Sequence, residues 1–92
     1  MLPKYRPPTH PGEILLEEFL KPLNMTQQQA ADKMQISLNR LNEIVRGKRG
    51  VTADTALRLA KLCKTTPQFW LNLQNNWDLL HAQRDMRRVA AG

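Results

Sequence analysis

Nucleophiles and bases are scarce in this chain: its 92 residues include one cysteine, one serine and two histidines. Cys63 has no partner for an internal disulfide. It lies in TALRLAKLCK with Ala56, Leu59 and Ala60 on one helical face, the setting of a small buried apolar residue rather than a reactive thiol. Ser37 is the only serine, and His10 and His81 stand in different segments, so a Ser/His/Asp or Cys/His arrangement has almost no material to draw on. Two histidines and one cysteine also make a poor zinc site, and no metal or other cofactor is expected. Glu17 and Glu18 are adjacent on a helix and so point different ways, while Gly47 and Gly50 lack the surroundings of a phosphate-binding loop. No run resembles a secretory signal or a membrane span. The expectation is a cytoplasmic protein, not an enzyme, with no membrane partner.

Acidic charge is scarce too, but only in places. Residues 1–34 balance Lys4, Arg6, Lys21 and Lys33 against Glu13, Glu17, Glu18 and Asp32. Residues 40–64 carry Arg40, Arg46, Lys48, Arg49, Arg58, Lys61 and Lys64 against only Glu43 and Asp54, so five of the six surplus charges lie in about a quarter of the chain. Mixed signs suit a solubilising surface; a one-signed concentration suits a polyanion. On helix four, Arg58, Lys61 and Lys64 read as a solvated face rather than as contacts.

At this length one compact domain with a modest core is expected. No segment shows strand alternation, and the fold class is all-α. After a Pro-rich leader, EILLEEFLKPLN has helical spacing in Ile14, Leu15, Phe19 and Leu23, with Pro22 to end it. Thr26 with Gln29 three residues on forms a capping box that opens QQQAADKM. Ser37 caps a third helix, with Gly47 suited to the left-handed position after its end. Thr52 caps ADTALRLAKLCK, and Thr66 followed by Pro67 at the first helical position starts PQFWLNLQNNWDLLHAQR.

The joint between helices two and three is short. Met34-Gln35-Ile36-Ser37 turns the chain in a few residues, and Ala30 and Ala31 are small enough to let the third helix cross the second closely, which is helix-turn-helix economy. In SLNRLNEIVRGKRG, Leu41, Ile44 and Val45 share one side of the third helix while Asn39, Asn42, Glu43 and Arg46 share the other. In that motif the second helix enters the major groove. Asn39, Asn42 and Glu43 would then meet bases, since asparagine can pair bidentately with adenine and a carboxylate can accept from the cytosine amino group. Arg46, Lys48 and Arg49 would meet phosphates. Gln27 and Gln28, at the start of helix two, take a phosphate or base-edge role. Arg40, on the border of the two faces, could touch DNA or pair with Glu43 or Glu17.

HPGEILLEEFLKPLNMTQQQAA, RLNEIVRGKRGVTADTALRLAK and TTPQFWLNLQ, in that order and spacing, resemble the HigA-type (VapI-like) antitoxins, a branch of the phage-repressor-like helix-turn-helix proteins. The likeness runs from about His10 to Asp78. It implies a five-helix DNA-binding bundle of the lambda-repressor-like type; with the length and the pattern of the chain, the expectation is a single domain over 1–92 with a flexible leader (1–11) and a short tail (85–92). It further implies a homodimer on an inverted-repeat DNA operator that binds and neutralises a cognate mRNA-cleaving toxin and represses the operon encoding both. Two positions depart from the family. Gln35 stands where glycine is frequent, so the turn either avoids the left-handed conformation or bears a cost of roughly 1–2 kcal/mol. Leu38 stands where arginine is frequent, which replaces a cation at the DNA with an apolar group suited to a thymine methyl.

Helix five supplies the expected seam. Trp70, Leu73, Trp77 and Leu80 follow helical spacing, and one small domain seldom hides two tryptophans and so many leucines. A free-standing transcriptional regulator of the same fold is the alternative function, and a protein-interaction module that has lost DNA binding is a third. The basic loop argues against the last.

Overall fold

The computed structural model describes residues 8–91, with side chains through Val89. Residues 1–7 of the expected leader fall outside the described residues. Among the described residues the fold is all helical, with α1 at Pro11–Ile14 continuing as a π-helix over Leu15–Leu20. Then come α2 at Gln27–Met34, α3 at Leu38–Val45, α4 at Ala53–Cys63 and α5 at Pro67–Ala91.

The expected caps are in place. Thr26 Oγ1 accepts from the Gln29 amide at 3.1 Å while Gln29 Oε1 accepts from the Thr26 amide at 2.9 Å, so the capping box is complete. Ser37 Oγ accepts from the Arg40 amide at 3.0 Å, and Thr66 Oγ1 accepts from the Phe69 amide at 3.2 Å. Thr52 caps α4 in the same way. Gly47 takes the left-handed position after α3 with φ 75°.

Helix α1 departs from the expectation in three ways. It starts inside the supposed leader: Pro11 is its first residue, and the buried His10 caps it by accepting the Gly12 amide at Nδ1, 2.9 Å away. Its second half is a π-helix, in which the Lys21 amide reaches back to the Leu16 carbonyl. A five-residue hydrogen-bond spacing stacks Leu20 over Leu15, and both are fully buried, whereas α spacing would have stacked Phe19 over Leu15. Phe19 is turned part-way aside to meet Phe69 and Trp70 edge-on or tilted. Leu23, expected on the inner face, consequently lies exposed. The helical stretch also ends at Leu20, two residues before Pro22.

The core is small-residue at one joint and aromatic at the other. Ala30 and Ala31 of α2 are fully buried under Leu41 and Ile44 of α3, as the close crossing requires. Gly12 permits a second close crossing, because a Cβ there would stand 1.8 Å from the Ile44 carbonyl oxygen. Trp70 fills the other end, wholly buried, with Nε1 donating to Thr65 Oγ1 at 2.7 Å. It therefore belongs to the core of its own chain and not to a seam, since a side chain without exposed surface has none to give a partner. Leu73 also packs against that core.

The expected tail is helix. Helix α5 continues through residues 85–91, and its 25 residues run about 37 Å along a molecule whose long axis is 46 Å. Its outer half carries Leu79, Met86 and Val89 exposed, spaced to share one face.

Candidate nucleic-acid interface

The interface is built on α2 and α3, joined at Gln35 in the left-handed conformation (φ 59°, ψ 44°). The turn thus bears the backbone cost foreseen for a non-glycine residue. Arg58 of α4 steadies it, donating from NH1 to the Met34 carbonyl at 2.7 Å. Arg58 is therefore more than part of a solvated face.

Four of the expected residues come together. Gln27, at the start of α2, and Leu38, Asn39 and Asn42 of α3 line one open groove. Asn42 Nδ2 donates to Gln27 Oε1 at 3.1 Å, which leaves Asn42 its carbonyl oxygen and one N–H. Those two are the pair an adenine edge requires, so Gln27 orients Asn42 without disabling it. Leu38 is 42 % exposed at the first helical position, an apolar group at the mouth of the groove. Gln28 is turned along its own helix, with Nε2 donating to Asp32 Oδ1 at 2.9 Å.

Arg40 departs from the expectation. It pairs with neither Glu43 nor Glu17: NH2 donates to Asp54 Oδ2 at 2.9 Å and to Thr55 Oγ1 at 2.7 Å. Arg58 Nε meets the same Asp54 oxygen at 3.0 Å. The hydrogen bond from Arg40, and then that from Arg58, hold the Asp54 carboxyl below the usual carboxylate range. Asp54 is the residue that reading the sequence missed; its i,i+4 spacing to Arg58 was the available signal. The network fastens α3 to α4 and so sets the angle at which α3 is presented.

The basic loop after α3 is held at its base. The Glu43 carbonyl accepts the Lys48 amide at 2.8 Å and the Arg49 amide at 3.2 Å. Glu43 Oε1 accepts Arg49 NH2 at 2.8 Å and Nε at 3.1 Å. Arg46 and Lys48 are exposed and carry no ion pair among the described residues.

A second cluster lies behind the loop. His10 meets Trp77 edge-on at 5.2 Å, and Trp77 is tilted over His81 at 4.3 Å. The two histidines that are far apart in sequence thus flank one half-buried tryptophan, whose ring is engaged within its own chain. Burial lowers the His10 pKa below its usual 6.5, against the opposing charges of Asp78 and Glu13. Among the described residues no three His, Cys, Asp or Glu side chains converge as a metal site, and no helix is long and apolar enough to cross a membrane. Burial pushes the Cys63 thiol up to about 11, far from thiolate reactivity at neutral pH.

A short turn between two tightly crossed helices, with an amide-lined groove on the second and a basic loop behind it, defines a helix-turn-helix protein. Residues 16–70 match the helix-turn-helix family model. The chain is 47 % identical over 83 residues, 90 % of its length and 77 % of the relative's, to virulence-associated protein I of Dichelobacter nodosus. It is 47 % identical to an addiction-module antidote protein of the HigA family from Coxiella burnetii, with a TM-score of 0.83 and 90 % of each chain covered. Antitoxin HigA of Pseudomonas aeruginosa, solved with the higBA promoter, is 38 % identical with a TM-score of 0.83, covering 89 % of this chain and 90 % of its own. The chain belongs to the HigA-type antitoxin family of helix-turn-helix proteins.

Proposed function

We propose that this protein is a sequence-specific DNA-binding antitoxin: a homodimer that represses its own operon and neutralises the mRNA-cleaving toxin encoded beside it, in the cytoplasm. The observation that carries the reading is the groove of Gln27, Leu38, Asn39 and Asn42, followed by the exposed Arg46 and Lys48, which carry no ion pair among the described residues. Amides with free donor and acceptor pairs can read base edges, and cations without a carboxylate partner can neutralise phosphates. The solved complex of the Pseudomonas aeruginosa antitoxin with its promoter supports the same use of this fold. Arg40 and Gln28, both engaged within the chain, fall outside the reading set, and Arg49 joins it only by leaving Glu43.

A single motif covers few base pairs, so two copies reading half-sites one or more helical turns apart are needed for specificity. The outer half of α5, with Leu79, Met86 and Val89 exposed, supplies the self-complementary apolar face; Trp77 and Leu80 of the expected seam lie on the other side of the helix, half-buried. The test is affinity for a duplex that the protein selects from a random pool against a scrambled duplex of equal length. Asn42→Ala is expected to lose about 1–3 kcal/mol on the selected duplex and far less on the scrambled one. Equal losses on both would reduce Asn42 to a backbone contact, and a wild type that cannot distinguish the duplexes would overturn the reading.

A further inference from the structure

We propose that Glu43 and Arg49 form a latch that a duplex has to open, making Glu43 a discriminator against non-operator DNA. The inference rests on the reading of α3 as the recognition helix and goes beyond it by assigning Glu43 a role on wrong sequences.

The geometry is one-sided. Both Arg49 contacts, 2.8 and 3.1 Å, converge on Oε1 of Glu43, leaving Oε2 outside the pair. The contacts tie two of the five guanidinium N–H groups to an anion, while the Glu43 carbonyl anchors the loop backbone that carries Arg49. Glu43 also stands one residue from Asn42, on the polar side of α3. Without DNA, the loop's third cation is thus already neutralised from the recognition helix. A phosphate that is to take the Nε and NH2 edge of Arg49, with its charge unshared, has to displace a carboxylate, and the displaced carboxylate then faces a polyanion.

The cost of opening the latch depends on the base sequence of the duplex. On a duplex that offers a cytosine amino group within reach, the freed Glu43 accepts a hydrogen bond, and the exchange of partners is close to balanced. On any other duplex, opening leaves an unpaired carboxylate against DNA, and keeping the latch shut forgoes the Arg49 phosphate contact. Either way, the wrong duplex is disfavoured. The side chains of Arg49 and Glu43 are 50 % and 35 % exposed, so the pair is weak enough to open; the penalty it sets is worth about two- to fivefold in affinity.

The test compares wild type, Glu43→Gln, Arg49→Gln and the double variant on the self-selected and the scrambled duplex over a range of salt. Both positions are at the surface, and circular dichroism verifies that each variant keeps its helices. Glu43→Gln is expected to bind the scrambled duplex about two- to fivefold more tightly, with log affinity falling more steeply in log salt by about one. Its preference for the selected duplex falls. In the Arg49→Gln background the same substitution is expected to relieve only the repulsion of the unpaired carboxylate and to leave the salt slope unchanged, because no cation is released for a phosphate. An unchanged scrambled-duplex affinity and slope in Glu43→Gln would overturn the proposal. So would an equal steepening of the salt dependence in the Arg49→Gln background, which would mark a general charge effect. Failure of the wild type to prefer its selected duplex would instead strike the underlying reading, so the two failures are separable.

Discussion

Gly12→Ala sets two rules against each other. Alanine in place of glycine within a helix is favoured by about 1 kcal/mol through backbone entropy alone. At Gly12, however, the new Cβ would lie 1.8 Å from the Ile44 carbonyl oxygen, 2.6 Å from its carbon and 2.9 Å from Val45 Cα. All three are backbone atoms of α3, and no side-chain rotation relieves them. Restoring an ordinary carbon–oxygen separation of about 3.3 Å means moving α1 off α3 by about 1.5 Å. Such a displacement forfeits a large share of the dispersion contacts between the two helices. Overpacking of this kind costs about 3 kcal/mol or more when backbone must shift, so the net expectation after the propensity gain is a loss of about 2 kcal/mol or more. For a domain of this size that lowers Tm by about 8–16 °C. Thermal unfolding followed by circular dichroism measures it, with exposed Glu13→Ala as the neighbour expected to stay within about 0.5 kcal/mol of wild type. A Gly12→Ala protein as stable as wild type, or more so, would refute the claim that α1 and α3 cross in backbone contact.

Gln35→Gly is expected to do the opposite: at φ 59° with an exposed side chain, it removes left-handed strain worth about 1 kcal/mol and should raise Tm by about 4–8 °C; an unchanged melting curve would show the strain to be compensated. His10 gives a pH dependence of definite sign. Its pKa is lowered in the folded state, so the stability it contributes is present above its unfolded value of 6.5 and is lost as pH falls through the folded value. Protonation also turns the Nδ1 acceptor of the Gly12 cap into a donor. His10→Asn, which keeps a capping acceptor but does not titrate, is expected to flatten the fall in Tm between neutral pH and pH values below 6.5; a variant with the wild-type slope would clear His10 of the effect. On α5, Leu79→Glu with Met86→Glu is expected to leave a helical monomer in sedimentation with weakened operator binding, and a variant that stays dimeric would move the seam elsewhere. Trp70→Ala should instead lose about 3–5 kcal/mol of stability, as a core residue does.

Much of the chain is legible without its fold, and the legible parts share a length scale. Thr26, Ser37, Thr52, Thr66 and Gly47 act on backbone within one helical turn of themselves, so short-range rules place the caps correctly. The clustering of cations between residues 40 and 64 and the two-sided pattern of α3 are likewise properties of consecutive residues, and they locate the interface. Beyond reach in the sequence is whatever joins residues distant in the chain. Arg40 chose Asp54, 14 positions away, over its near neighbours; Asn42 found Gln27 at 15 and Arg58 found the Met34 carbonyl at 24. The π spacing of Leu15–Leu20 accompanies the packing of Phe19 on Phe69 and Trp70; it puts Leu20, absent from the helical pattern read in the sequence, in the core, while Leu23, expected inside, lies exposed. Trp70 and Trp77 lie two turns apart on one helical face and carry identical local signals. Tertiary packing, with Phe19 tilted against Trp70 and Thr65 on its indole nitrogen, buries the first completely and leaves the second half-buried between two histidines, because burial is set by which elements meet, and a side chain's own neighbours in sequence do not encode that.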